Sequence, residues 1–145
     1  MFLEINWQDD LNLSNFNHNT LTERKQRLTM KQPSREEAKK ILAVYPDSQA
    51  FYFYDSIGSP TKGSAHSLEE FIYSIKTVES TSIEFHCQRG DFENWIKMLG
   101  DEILSKQIAN IQKSELNGNH LRKRLSQVLH LRYGVLKKIT ENPVS

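Results

Sequence analysis

A single cysteine, Cys87, stands in the whole chain of 145 residues. It excludes an internal disulfide framework and a cysteine-only zinc site, and it points to a reducing compartment. Long apolar runs are missing as well, since none approaches the roughly twenty residues that span a bilayer. The opening MFLEINWQDD has neither the basic flank nor the apolar core of a signal peptide. Together these absences predict a soluble, cytoplasmic protein with no membrane partner. Excess charge is lacking too: 19 Lys and Arg against 18 Asp and Glu leave a net +1, so no overall field draws the chain to nucleic acid or membrane.

What charge there is lies unevenly. Residues 113 to 138 hold seven bases and one acid, which is +6, whereas residues 34 to 112 hold eight bases and twelve acids, which is −4. Residues 1–33 are rich in Asn, Thr, Gln and charge, and their apolar residues keep no sustained period. They are expected to form a flexible N-terminal tail, with docking through Ile5, Trp7 and Phe16 as the functional alternative. Residues 34–140 are expected to form one globular domain, and residues 141–145 a short C-terminal tail.

Within that domain the stretch Ser82 to Gly100, SIEFHCQRGDFENWIKMLG, organises the rest. Ile83, Phe85 and Cys87 alternate with Ser82, Glu84 and His86, the period of a strand with one buried face. After Arg89 and Gly90, Asp91 is expected to cap a helix whose Phe92, Trp95, Ile96 and Leu99 recur at helical spacing, with Gly100 closing it. The run AFYFYDSIG, Ala50 to Gly58, places four aromatic residues in a row, and this predicts a central strand buried on both faces. A base-stacking platform is the alternative for such a row, but Asp47 and Asp55 lie where basic residues would be needed.

Helix signals surround these strands. Ser34 with Glu37 and Ser67 with Glu70 form capping boxes, the first before a short stripe of Ala38, Ile41, Leu42 and Val44 that Pro46 stops. The second opens a helix with Leu68, Phe71, Ile72 and Ile75 on its buried side, which returns the chain to the strand at Ser82. Strand, loop, helix and strand suggest a parallel unit with a right-handed crossover. Asp101 is expected to cap the next helix, and Asn117 and Gly118 break the chain before the last, about His120 to Ile139. At about 100° per residue, Arg132 falls in the middle of that last helix's apolar face, where a guanidinium needs a carboxylate; Asp91, Asp101 and Glu102 are the candidates. The fold class expected is α+β, or a small α/β: a small sheet flanked by about five helices.

Residues that carry chemistry are few. His86 and Cys87 project to opposite sides of a strand and cannot form a dyad. The histidines at 66, 86, 120 and 130 show no metal-ligand spacing. Carboxylates cluster at helix starts, where capping and the macrodipole explain them. No catalytic residue, metal site or cofactor is therefore assigned. The loop SPTKGSAH, Ser59 to His66, opens onto a helix N-terminus where anions can bind, and Lys62 and Gly63 fit that use loosely without forming a phosphate-binding motif. The best candidate for a ligand or partner site is the corner of His86, Arg89 and Asp91, together with Lys62.

The succession FYFYDSIG, a glycine-containing loop, AHSLEEF, FHCQRGDFENWI, LGDEIL and LRKRL resembles a small family of prokaryotic, largely archaeal proteins classed only as a domain of unknown function. The likeness covers about Ser34 to Ile139, and RGDF with the following WI pair is its most specific part. The chain departs from the pattern at Lys62, before Gly63, and at Ser105 in place of Ala, which puts a loop-based ligand site in doubt. The resemblance implies a domain boundary and an archaeal source, and it implies no activity.

Three functions follow from these readings. A non-enzymatic interaction or regulatory module with a protein partner leads, a homo-oligomer being compatible with it. A nucleic-acid-associated protein is the second, through Arg122, Lys123, Arg124, Lys137 and Lys138 on the last helix, although these bases spread around its circumference as a solvated face does. A small-ligand binder or enzyme at the RGDF corner is the third.

Overall fold

Ser34 sets the first helix by both halves of a capping box: its hydroxyl accepts from the Glu37 amide while the Glu37 carboxylate accepts from the Ser34 amide. The computed structural model describes residues 32–56 and 58–141, with the backbone alone for 59–62. Helix α1 (Arg35–Ile41) leads through a turn of 3-10 helix (Asp47–Gln49) into strand β1 (Phe51–Ser56), and strand β2 (Ser59–Ala65) follows directly. Five helices complete the order: α2 (Leu68–Thr77), α3 (Ser80–Arg89), α4 (Asp91–Leu99), α5 (Glu102–Lys113) and α6 (Gly118–Glu141). The architecture is α+β, a two-stranded antiparallel sheet beside six helices among the described residues.

Three expectations about the sheet are corrected. First, residues 82–88 are not a strand but the body of α3. The buried set there is Ser82, Ile83, His86 and Cys87, which is helical spacing (i, i+1, i+4, i+5), while Phe85 is only half-buried. The alternation was an accident of counting His86 as polar, when it lies in the core at 3 % exposure. Second, the partner of β1 is the segment read as a loop, and the two form a hairpin with Phe51 opposite Ala65 and Tyr54 opposite Pro60, so there is no parallel crossover unit. Pro60 and Gly63 suit this place because β2 is an edge strand and its pairing shifts register at irregular positions. Third, the aromatic row is buried on one face only: Phe51 and Phe53 point inward, whereas Tyr52 is 43 % exposed. Residues 1–31 of the expected tail, with its docking residues Ile5, Trp7 and Phe16, lie outside the described residues.

Helix α6 is the axis of the helical part, packing along α1, α2, α3 and α5, while β1 lies on α3 and β2 on α2. Its buried positions Leu121, Leu125, Leu129, Arg132 and Leu136 follow the helical period expected of its apolar face, whereas Val135, expected on the same face, is exposed. The hairpin closes the opposite end of the core through an aromatic cluster of Phe51, Phe53, Phe71, Phe92 and Trp95, with ring centroids 4.8 to 6.3 Å apart. The Trp95 indole N–H, which a buried tryptophan must satisfy, donates to the Gln49 carbonyl at 2.9 Å and ties α4 to the turn before β1.

Candidate functional site

The corner after α3 is built by one glycine turn and one buried histidine. Gly90 takes a left-handed conformation (φ +78°) and is the single residue between the end of α3 and the start of α4. Asp91 is thereby the first residue of α4 rather than its cap, and its carboxylate is free to turn back toward α3. It meets two groups there. Arg89 Nε donates to Asp91 Oδ2 at 3.0 Å, and His86 Nδ1 lies 2.9 Å from the same oxygen.

The opposite ring nitrogen of His86 decides the tautomer. The backbone N–H of Tyr54 donates to His86 Nε2 at 2.7 Å, so Nε2 is the acceptor and Nδ1 carries the proton given to Asp91. Burial holds the His86 pKa below its ordinary value, against the opposing pull of Asp91, which keeps the ring neutral and this arrangement intact. A continuous hydrogen-bonded path thus runs from the backbone of β1 through His86 and Asp91 to the Arg89 guanidinium. The guanidinium also lies over the Phe85 ring, with Cζ 5.1 Å from the ring centroid.

These residues line an open cleft of about 380 Å³ between β1 and the end of α3, with Tyr52, Tyr54 and Phe85 among its walls. His86 is its floor, whereas Arg89 stands at its rim with 49 % of its side chain exposed. Of the four residues expected to share a site, His86, Arg89 and Asp91 are therefore together. Lys62 lies on β2, where the backbone alone is described. Tyr52, Tyr54 and Phe85 were not among the residues expected at this corner, because the aromatic row and the strand pattern around Phe85 both read as core; Tyr52, exposed on the hairpin, and the half-buried Tyr54 alternate with the buried Phe51 and Phe53.

A second cleft, about 630 Å³, lies between α3 and the turn joining α5 to α6 and has Cys87 on its wall. Two of its polar side chains are engaged: Glu84 accepts from the Gly118 amide at 2.6 Å, and Gln112 donates to the Gln88 carbonyl. Burial, with a smaller contribution from Glu93, pushes the Cys87 thiol up to about 11, so it stays protonated.

The basic residues of α6 have separate surroundings. Arg122 donates to the Ile75 carbonyl at 2.8 Å, Lys137 pairs with Glu141 at 3.4 Å, and Lys123 and Lys138 are exposed. No group of three or more His, Cys, Asp and Glu able to hold a metal ion occurs among the described residues. No helix among them is long and apolar enough to cross a membrane.

A model of a family of unknown function, DUF5752, matches residues 11–130. The chain belongs to this family. The DUF5752 match begins before the likeness seen at Ser34 and stops within α6, so it takes in the whole His86–Asp91–Arg89 corner and Asp101 but not Arg132. No curated protein and no solved structure matches this DUF5752 chain.

Proposed function

We propose that the protein is a non-enzymatic interaction module whose binding site is the cleft of Tyr52, Tyr54, Phe85 and Arg89. The observation that carries this reading is the preorganised guanidinium: Arg89 is half-exposed, yet its Nε is held by Asp91 and its plane is supported by Phe85. Ordering such a side chain in advance lowers the entropic cost of using it to bind. Catalysis is disfavoured by the same bonds. Both nitrogens of His86 are engaged within the fold, which leaves no lone pair for proton transfer, and the neighbouring Cys87 is a buried thiol. A prokaryotic, largely archaeal source and a reducing cytoplasm are the setting assigned, the latter on the lone cysteine.

Selection from a random-peptide display library on the full chain tests the reading, with Arg89→Ala as the counter-screen. Enriched sequences that lose binding on Arg89→Ala support it. Enrichment indifferent to that substitution, or no enrichment, overturns it.

A further inference from the structure

Once its internal bonds are subtracted, the cleft keeps donors at Arg89 and Tyr54 and one carboxylate oxygen, Asp91 Oδ1, without a hydrogen bond among the described residues. Asp91 Oδ2 is occupied twice, by His86 and Arg89, and both His86 nitrogens are engaged. Three donor groups remain without a hydrogen-bond partner among the described residues: the two Nη groups of Arg89 and the hydroxyl of Tyr54, which can also accept. The Tyr52 hydroxyl is already spent on the Asp47 carbonyl at 2.8 Å, so its ring contributes an apolar wall. Around the donors the lining is otherwise Ala50, Phe51, Gly58 and Phe85.

We infer that the occupant of this cleft is a peptide segment presenting a carboxylate beside an aromatic or aliphatic side chain. The inference rests on the interaction-module reading and adds the chemistry of the partner. The carboxylate accepts from the Nη edge of Arg89, which offers two N–H groups to two oxygens, and the apolar side chain lies against Tyr52, Tyr54 and Phe85.

Charge selects a carboxylate over a phosphate. Arg89 and Asp91 are the charged residues on the described lining, and their charges cancel. A monoanion meets one cation whose countercharge already sits on the far side, at Nε; a dianion would bring a second negative charge toward Asp91 with no further cation to meet it among the described lining residues. The form of the cleft selects a peptide. Small-molecule sites enclose most of their ligand, whereas this cleft is open, with Arg89 at 49 % and Tyr52 at 43 % exposure on its rim. A side chain of a longer segment fills such a space while the flanking residues contact the surrounding surface.

The test uses the full chain, isotope-labelled, titrated with N-acetyl-Glu-Trp-amide, its Gln-Trp counterpart and phenyl phosphate while the Tyr54 amide and Arg89 Nε–H signals are followed by NMR. The Glu peptide is expected to bind in the millimolar range and to move both signals. The Gln peptide should bind about tenfold more weakly, the loss of one charge-assisted bond, and Arg89→Ala should remove the difference. Equal binding of the Glu and Gln peptides overturns the carboxylate while leaving the interaction module standing. Tighter binding of phenyl phosphate overturns it in favour of a phosphorylated partner. If none of the three moves either signal, the carboxylate and the cleft as a binding site fall together.

Discussion

Arg132 forks onto Asp101: Nε lies 2.7 Å from Oδ2 and Nη2 2.9 Å from Oδ1, and both side chains are nearly sealed from water, at 6 % and 1 % exposure. Asp101 has a further task, since its Oδ1 also accepts from the Leu104 amide as the cap of α5. The pair therefore fastens the start of α5 to the middle of α6. Gly100, in the left-handed conformation (φ +106°), makes the approach available by ending α4 one residue earlier.

Removing the arginine leaves a buried carboxylate with one amide partner from its own helix. Breaking one side of a buried ion pair typically costs about 3–5 kcal/mol. Arg132→Ala is expected to lower stability by that order in urea denaturation, whereas the exposed Lys123→Ala should change it by less than about 0.5 kcal/mol. Equal effects of the two substitutions would show that the pair does not hold α5 to α6.

Trp95 joins aromatic packing to a satisfied indole N–H. Truncating a buried tryptophan costs about 3–5 kcal/mol, and here the Gln49 carbonyl also loses its donor. Trp95→Ala should reduce the unfolding midpoint sharply or abolish cooperative unfolding, as read by circular dichroism. Trp95→Phe, which keeps an aromatic ring but loses part of the indole volume and the N–H, should fall between Trp95→Ala and the parent.

Arg89 is expected to behave in the opposite way. Its pairing with Asp91 is at the surface, and exposed ion pairs contribute at most about 1 kcal/mol. Arg89→Ala should leave the melting temperature within a few degrees of the parent, about what 1 kcal/mol gives a domain of this size. Melting of the domain by this substitution, measured by differential scanning calorimetry, would make the corner structural and remove the candidate site.

The two best-connected histidines should give opposite pH dependences. His86 has its pKa lowered, chiefly by burial, so below about 6.5 the unfolded chain takes up a proton that the folded chain refuses, and stability falls as pH falls. His66 has its pKa raised, first by the bond from Nε2 to Asp47 at 2.8 Å and next, against an opposing effect of desolvation, by Glu70. Its contribution is full below about 6.5 and is lost as pH rises through its folded value. His86→Phe should flatten the acid limb of stability against pH, and His66→Gln should flatten the change on the neutral side. The NMR titration of each ring checks the assignment.

Local signals were legible where the interaction is local. Ser34 with Glu37, Asp101 as a cap, Gly100 as a terminator and the stripe of Phe92, Trp95, Ile96 and Leu99 all depend on residues within a few positions of one another, and all stand in the structure. The box at Ser67 was half right: its hydroxyl accepts from the Glu70 amide, but the Glu70 carboxylate reaches one residue further back, to the His66 amide. Arg132 was legible for a different reason, because a guanidinium in the centre of an apolar face has no stable solution but a carboxylate. Which acid it would find was left among three.

The sequence by itself determined an α+β chain, most of its helix ends, the apolar face of α6 and the need for an ion pair upon it, since these follow from backbone capping and the 3.6-residue period. Tertiary structure decided the rest. Residues 82–88 satisfy both a period of two and a helical spacing, and what settles them is that Tyr54 and Asp91 give His86 two partners, which makes a histidine a core residue and its segment a helix. The segment Ser59–Ala65 becomes a strand because β1 lies alongside it, its own residues having little strand preference. The cleft exists only where β1, the end of α3 and the start of α4 meet, and no spacing along the chain records that meeting.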